Sequence, residues 1–236
     1  MTDVAIVTGG AGSIGRAMAE EFAGAGLHVV AADLKGDAPP GGSFVPTDVT
    51  DPHSVQALFR FAAEKGSITR LVVAHGVLFE TNPGAQNFAA VGTTIDVNLK
   101  GVAFICDVAG AYMADGASIV LISSMSAFLG RIRGSFAYQS TKAGVEAMTR
   151  AFAVAYAPRG VRVNAIAPGF VSQPMQGEGA VLRERQGGAE AASKHVPLGR
   201  LVTPSELAKG AAFLSSDHAR SITGVVLPMD GGTMAY

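Results

Sequence analysis

The chain is short of the residues that would tie it to several familiar classes. It has one cysteine, Cys106, and no tryptophan in 236 residues, so an intramolecular disulfide framework is excluded. With no charged-then-apolar leader, the expected setting is a reducing cytoplasm. Charged residues are only 16% of the chain, with 18 Lys+Arg against 19 Asp+Glu and a net charge of −1. No basic block stands out, so a nucleic-acid partner is not expected. No uninterrupted apolar run reaches the about 18 residues of a bilayer-spanning helix, so no membrane segment is expected. The five histidines show no HxH, HExxH or Cys/His spacing, so no metal site is expected either.

What is present is glycine and apolar surface. Hydrophobic residues make up 48% and glycine 30 of 236 positions, nearly twice the usual glycine share of about 7%. Neither a collagen-like period nor low complexity accounts for it, which leaves local backbone work. The length suits one domain spanning residues 1–236.

Short apolar runs alternate with helical spacing. Val4–Thr8 reads as a strand, Ser13–Ala25 as a helix and Leu27–Asp33 as a strand, a βαβ opening. Strands are then expected at Ser43–Asp48, Thr69–Ala74, Ser118–Ser123, Val161–Ala167 and Val225–Pro228. Helices are expected near Pro52–Lys65, Phe88–Ala114, Phe136–Ala157 and Pro204–Leu214. Strands apolar on both faces, separated by helices, imply an α/β fold with a parallel sheet covered on both sides. One irregular tract, residues 173–199, carries five glycines among interspersed charges; a long weak segment of this kind reads as a substrate lid.

Three motifs carry chemistry. TGGAGSIG, residues 8–15, contains G-x-G-x-x-G as Gly10, Gly12 and Gly15 between the first strand and helix. That placement suits a pyrophosphate held on a helix N-terminus, although alone the pattern also fits an ordinary βα turn. Asp33 ends the second strand, where a carboxylate would accept from a ribose diol and repel a 2′-phosphate; Leu34 offers no cation. NAD is therefore expected over NADP, with a turn aspartate as the alternative and Lys35 keeping NADP open. Tyr138-Gln-Ser-Thr-Lys142 follows Ser123-Ser124. Positions i and i+4 share a helix face, so Lys142 is expected to lower the Tyr138 pKa and make it an acid/base. By itself YxxxK is common on helices; the nucleotide loop makes it specific.

With these residues together, the chain resembles the short-chain dehydrogenase/reductase family of single-domain type over essentially its whole length. The match comprises the TGG loop, Asp48-Val49, Asn98 in VNLKG, ISS ending at Ser124, YQSTK, Pro168-Gly169 and LPMDGG ending at Gly232. The resemblance implies a Rossmann-type three-layer sandwich of about seven parallel strands and reversible nicotinamide-dependent oxidation of a secondary alcohol to a ketone. It implies Tyr138 as general acid/base, Ser124 as donor to the substrate oxygen, Lys142 on the nicotinamide ribose, and Asn98 completing a proton relay. It further implies cofactor contacts from Gly9, Gly12, Ser13, Ile14, Gly15, Asp33, Leu34, Asp48, Val49, Ala74, Gly76, Pro168, Gly169 and Val171. The substrate would be a small alcohol or carbonyl compound touching Ser124, Ser126 and Tyr138. The small-residue helix faces at Val102–Ala114 and Ala143–Ala155, with the C-terminal strand, imply a homotetramer.

The chain departs from the family pattern in places. Ser13 stands at a usual glycine position and Gly12 comes one place early. The NNAG stretch is Val73-Ala74-His75-Gly76, so the strand-stabilising bond of its asparagines must be replaced. Gln173 stands where a carboxamide-binding Thr is usual. A Ser-to-Tyr interval one residue longer than common leaves Ser126 as a second candidate for the catalytic hydroxyl. Arg131, Arg133, Arg183, Arg185, Lys194 and Arg200 form a candidate set for binding an anionic substrate group, with solvated loop charges as the alternative. Other readings of the framework are a 3-oxoacyl-thioester (acyl-carrier) reductase and a non-catalytic nucleotide-binding regulator.

Overall fold

Seven strands, β1 (Asp3–Thr8), β2 (His28–Asp33), β3 (Ser43–Pro46), β4 (Ser67–Val73), β5 (Met113–Ile122), β6 (Arg162–Pro168) and β7 (Val226–Met229), pair in parallel in the order β3-β2-β1-β4-β5-β6-β7. The computed structural model describes residues 2–129, 135–173, 175, 177–185 and 187–235, with the backbone alone for Glu178, Leu182 and Arg183.

Alternation along each strand sorts side chains into two core layers. Val4 and Ile6 of β1, Leu71 and Val73 of β4, and Ile119 and Leu121 of β5 face one layer. Helices α2 (Pro52–Lys65), α4 (Gly101–Tyr112) and α5 (Phe136–Tyr156) close that layer with Leu58, Phe59, Ile105 and Val145. Ala5, Val7, Val72, Val120 and Ile122 face the other layer, closed by Met18 and Phe22 of α1 (Ser13–Gly24) and Leu207 and Leu214 of α8 (Pro204–Ser215). Both faces of the sheet are thus covered, giving the expected Rossmann-like three-layer sandwich.

Local signals place the helix ends. The Asp51 carboxylate accepts from His53 N at 2.9 Å, and Pro52 occupies the first turn of α2. Thr203 and Glu206 form a reciprocal capping box at the start of α8. Between α3 (Phe88–Ile95) and α4 the helix passes through a π-helical turn, Asp96–Lys100, a feature that periodicity does not reveal. From α3 through α4 the helix Phe88–Tyr112 is 25 residues long and, by length and composition, apolar enough to cross a membrane, an 18-residue stretch of it having a mean hydropathy of 1.3. The core helix of a globular protein meets the same measure, and Asp96, Asn98, Lys100 and Asp107 interrupt the apolar run here.

Two other differences have physical causes. β5 begins at Met113 because the sheet register jumps from Ile68↔Met113 to Arg70↔Ser118, a bulge carrying Gly116 at φ 77°. The tract 173–199 holds two short helices, α6 (Glu178–Arg185) and α7 (Gly188–Ser193). Their helix-forming residues were outweighed in the sequence by Gly187 and Gly188, whose φ values of 95° and 66° make the break between them.

Candidate active site

The residues singled out in the sequence gather at one edge of the sheet. Gly9–Gly15 follow β1, Asp33 ends β2, Ala74–Gly76 follow β4, Ser124 follows β5 and Pro168–Val171 end or follow β6. β2 and β3 extend to one side of β1 and β4–β7 to the other, and ligands bind open α/β sheets in the crevice at such a reversal.

At the mouth of α1 the backbone is drawn tight. Gly9 has φ 69°, and a Cβ there would lie 2.6 Å from His75 N; a Cβ on Gly15 would run into the Gly9 carbonyl. Helices α2, α3 and α8 are capped by side chains, whereas the Gly12 cap of α1 supplies none. The first N–H groups of α1 therefore remain open to an anion. Above them, Asp33 Oδ2 accepts from Ala11 N at 3.1 Å and Oδ1 from Leu34 N at 2.8 Å. This holds the carboxylate over the loop. Thr50 donates to Asp48 Oδ1 through its hydroxyl at 2.7 Å and its N–H at 2.8 Å. Those bonds hold the Asp48 carboxyl below its ordinary pKa, against the opposing effect of burial and with help from Lys100.

Helix α5 brings Tyr138 and Lys142, both buried, beside the end of β5. Lys142 Nζ donates to Ile122 O at 2.7 Å and lies 5.6 Å from the centre of the Tyr138 ring. Burial lowers the Lys142 pKa to about 8. Burial also pushes Tyr138 up to about 12, partly opposed by the Ser124 hydroxyl. The expected depression of the Tyr138 pKa is thus absent in this arrangement, because the ammonium is bonded to a main-chain carbonyl and desolvation dominates the phenol.

Ser124 Oγ accepts from Ser126 Oγ at 2.7 Å and Ser126 N at 3.2 Å. Ser126 is only 2% exposed and supports Ser124 through these two bonds. Asn98, in the π-helical turn, directs its amide to the main chain of Val77, donating to Val77 O and accepting from Val77 N, each at 2.8 Å. Its Nδ2 also reaches Thr141 Oγ1 at 3.4 Å. A Cβ on Gly76 would lie 3.3 Å from Asn98 Oδ1 and 3.6 Å from Lys142 Nζ, so this glycine brings the chain between the two side chains. Val49 packs where a Cβ on Gly101 would touch it.

Two neighbours of the site, Thr81 and Glu146, escaped the sequence reading. The Thr81 hydroxyl accepts from Ala137 N at 3.2 Å, tying the loop after β4 to the start of α5. Ser123 donates to Glu146 Oε1 at 2.9 Å and to Lys142 O at 3.3 Å, locking α5 onto the end of β5. His75 Nδ1 and Thr8 Oγ1 are 2.8 Å apart, filling the place of the missing asparagine bond. No local pattern announces such partners; buried polar residues at strand ends are the one available signal.

On the far side, Val202 N donates to Phe170 O at 2.9 Å and Ser172 N to Val202 O at 2.8 Å, which fixes the chain around Val171. Gly169 N donates to Met229 O at 3.0 Å, and a Cβ on Gly169 would lie 2.6 Å from Asp230 Cα. Among the candidate anion-binding cations, Arg185 pairs with Glu80 at 3.1 Å, Lys194 with Glu190 at 3.2 Å and Arg200 with Glu206 at 2.7 Å. These three form ion pairs at the surface, the arrangement that the alternative of solvated loop charges describes. Arg131 and Arg133 lie outside the described residues, as does the Arg183 side chain. Among the described residues, no group of three or more His, Cys, Asp or Glu side chains could hold a metal ion.

Comparison with known proteins agrees with this geometry. The family described as "Enoyl-(Acyl carrier protein) reductase" matches residues 9–234. The chain is 38% identical to the cis-4-hydroxycyclohexanecarboxylate dehydrogenase of Sinomonas cyclohexanicum, over 98% of this chain and 96% of that protein. It is 33% identical to the 2,5-dichloro-2,5-cyclohexadiene-1,4-diol dehydrogenase of Sphingobium indicum, over 97% of this chain and 95% of that one. The structure of Thermoplasma acidophilum aldohexose dehydrogenase superposes with a TM-score of 0.91 at 31% identity, covering 100% of this chain and 95% of that one. Sheet order, glycine loop, YxxxK helix and whole-length relatives converge: the chain belongs to the short-chain dehydrogenase/reductase family.

Proposed function

We propose that this protein is a nicotinamide-dependent secondary-alcohol dehydrogenase, reversible toward the ketone, with NAD preferred and a hydroxylated six-membered ring as substrate. The observation that carries the reading is the convergence of Ser124, Tyr138 and Lys142 at the end of β5, across the crevice from the uncapped α1 N-terminus. The residues present fit a dinucleotide. Glycines clear the turn, open N–H groups suit the pyrophosphate, and Asp33 beside Leu34 suits an unphosphorylated ribose. Asp48, Val49, Ala74 and Gly76 would line the adenine and ribose side, and Pro168–Val171 the carboxamide side. The bound nicotinamide supplies hydride transfer.

The chain's own groups handle the proton. Tyr138, neutral at pH 7 with its pKa near 12, is a ready donor to a ketone oxygen and, in the reverse sense, accepts the alcohol proton. Ser124, oriented by Ser126, donates to the same oxygen as charge develops on it. Lys142, its ammonium bonded to Ile122 O and 5.6 Å from the centre of the Tyr138 ring, would hold the nicotinamide ribose. Asn98 acts through position, since its amide is engaged by Val77.

The ring-shaped substrate is suggested by the two relatives named for hydroxylated six-membered rings. The 173–199 tract would act as a lid: Gly179 sits against Leu78 and Met175, and Arg185 on Glu80 ties α6 to the loop after β4. A 3-oxoacyl thioester is the second reading, favoured by the wording of the family description. A panel of cyclic alcohols and ketones, followed by reduced-nicotinamide absorbance with each cofactor, separates the two. NAD-dependent turnover of ring alcohols is expected, whereas NADPH-dependent turnover of acyl thioesters alone would contradict it.

We also infer a homotetramer in a reducing cytoplasm. Support comes from the exposed apolar side chains Val154 (77%), Phe88 (76%) and Ile95 (42%) around α3 and α5, and Phe213 (46%) and Val225 (43%) near the C-terminal strand, two patches of the kind that a symmetric assembly covers. The free, buried Cys106 suits a reducing setting. Light scattering at micromolar concentration should give four times 24.0 kDa; a monomer mass would contradict the assembly.

A further inference from the structure

His75 is buried where three parts of the site meet, and the proton chemistry proposed above does not use it. Its Nδ1 lies 2.8 Å from the Thr8 hydroxyl, one residue before the glycine loop. On its other side Nε2 is buried and has no partner at hydrogen-bonding distance among the described residues. It faces the Val97 carbonyl, in the π-helical turn that carries Asn98. That carbonyl is special for a local reason. An α-helix would give it the Gly101 N–H, but in the π-helical turn the Gly101 N–H bonds to Asp96 O instead. Gly101 also makes room for the ring, since a Cβ there would lie 3.2 Å from Nε2.

The neighbouring residues reach the chemistry. Two positions on, Val77 is held through both main-chain groups by Asn98. The intervening Gly76 is the backbone that approaches Lys142 Nζ. The segment 75–77 is therefore set against one π-helical turn, with the His75 ring packed beside Gly101 and facing the Val97 carbonyl and Val77 held by the Asn98 amide. At its other end, Thr8 pins it to the nucleotide turn.

Resting on the dehydrogenase reading above, we propose that His75 is a positioning residue: a neutral imidazole that braces the end of β1 against the π-helical turn and so sets Asn98 and Gly76 against Lys142. The tautomer that suits this setting has its proton on Nε2, toward the Val97 carbonyl, with Nδ1 accepting from the Thr8 hydroxyl. The ring stays neutral throughout, since burial and the Lys142 charge both disfavour the imidazolium, and no proton passes through it.

The test uses the full-length enzyme with His75→Phe, which fills the space without nitrogens, and His75→Asn, which keeps an acceptor for Thr8. Three readouts are followed: kcat on a ring alcohol, NADH affinity by fluorescence, and the Lys142 titration midpoint by NMR. His75→Phe should lower kcat about 10- to 100-fold with NADH affinity within about threefold. It should also raise the Lys142 midpoint by about one unit from the value near 8 as water reaches the ammonium. His75→Asn should fall between His75→Phe and the wild type. A lower melting temperature with kcat and the Lys142 midpoint unmoved would reduce His75 to a packing residue and overturn the proposal. Should His75→Phe fail to fold, the same readouts on His75→Asn decide. If the wild type turned over no alcohol, the dehydrogenase reading would fall, and the Lys142 midpoint would still decide the brace.

Discussion

The Asn98 side chain holds both main-chain groups of Val77, accepting from its N–H and donating to its carbonyl at 2.8 Å each. A side chain so engaged works by holding the loop after β4 in place beside Lys142. Its contribution is therefore expected in stability as well as in rate. Asn98→Ala should cost about 1 to 3 kcal/mol in denaturant unfolding, since two part-buried main-chain groups lose their partner. The same change should lower kcat about tenfold or more. Full stability with reduced kcat would instead favour a direct role for the amide in proton transfer.

In the proposed function, Asp33 carries the preference for NAD. With Oδ1 and Oδ2 bonded to Leu34 N and Ala11 N, the carboxylate is held at the end of β2 where a ribose diol would reach it. Asp33→Ala should weaken NADH binding about tenfold, as expected for loss of a charged acceptor, and narrow the gap to NADPH by removing the repulsion of a 2′-phosphate. Unchanged selectivity in a fluorescence titration of both cofactors would place cofactor choice elsewhere.

The pH dependence of stability has a definite sign on each side. Burial depresses the His75 pKa from 6.5 to about 3. Its contribution is complete above pH 6.5 and is lost as the pH falls toward 3, because the unfolded chain takes up a proton that the folded ring refuses. On the alkaline side Lys142, lowered from 10.5 to about 8, makes stability rise between those values. Tyr138, raised from 10.0 to about 12, makes it fall between its two values. Denaturant unfolding of His75→Asn should therefore show a flatter decline below pH 6.5 than the wild type, and Tyr138→Phe a flatter decline above pH 10. An acid limb unaffected by His75→Asn would contradict the buried neutral ring.

Much of this was legible in the sequence where cause and effect are close in the chain. Pro52–Lys65 was read to both ends because Asp51, Pro52 and Gly66 mark them. The βαβ opening was read within a residue because β1 and β2 are buried on both faces. What stayed hidden depends on partners far apart: Thr8 and His75 are 67 positions apart, and Thr81 and Ala137 are 56. The Tyr138 pKa was misjudged for the same kind of reason. The i,i+4 spacing fixes which face Lys142 shares, while the Ile122 carbonyl that takes its ammonium comes from another element. Likewise the bond by which Ser126 supports Ser124 is not reported by the spacing to Tyr138.

The central claim, that Tyr138 exchanges the proton in nicotinamide-dependent oxidation of a ring alcohol, is tested most directly by comparing Tyr138→Phe with the wild type in steady-state turnover and NADH binding. A loss of about 10²- to 10⁴-fold in kcat, with NADH affinity essentially kept, is the expected result. Turnover unaffected by removal of the phenol hydroxyl would contradict it.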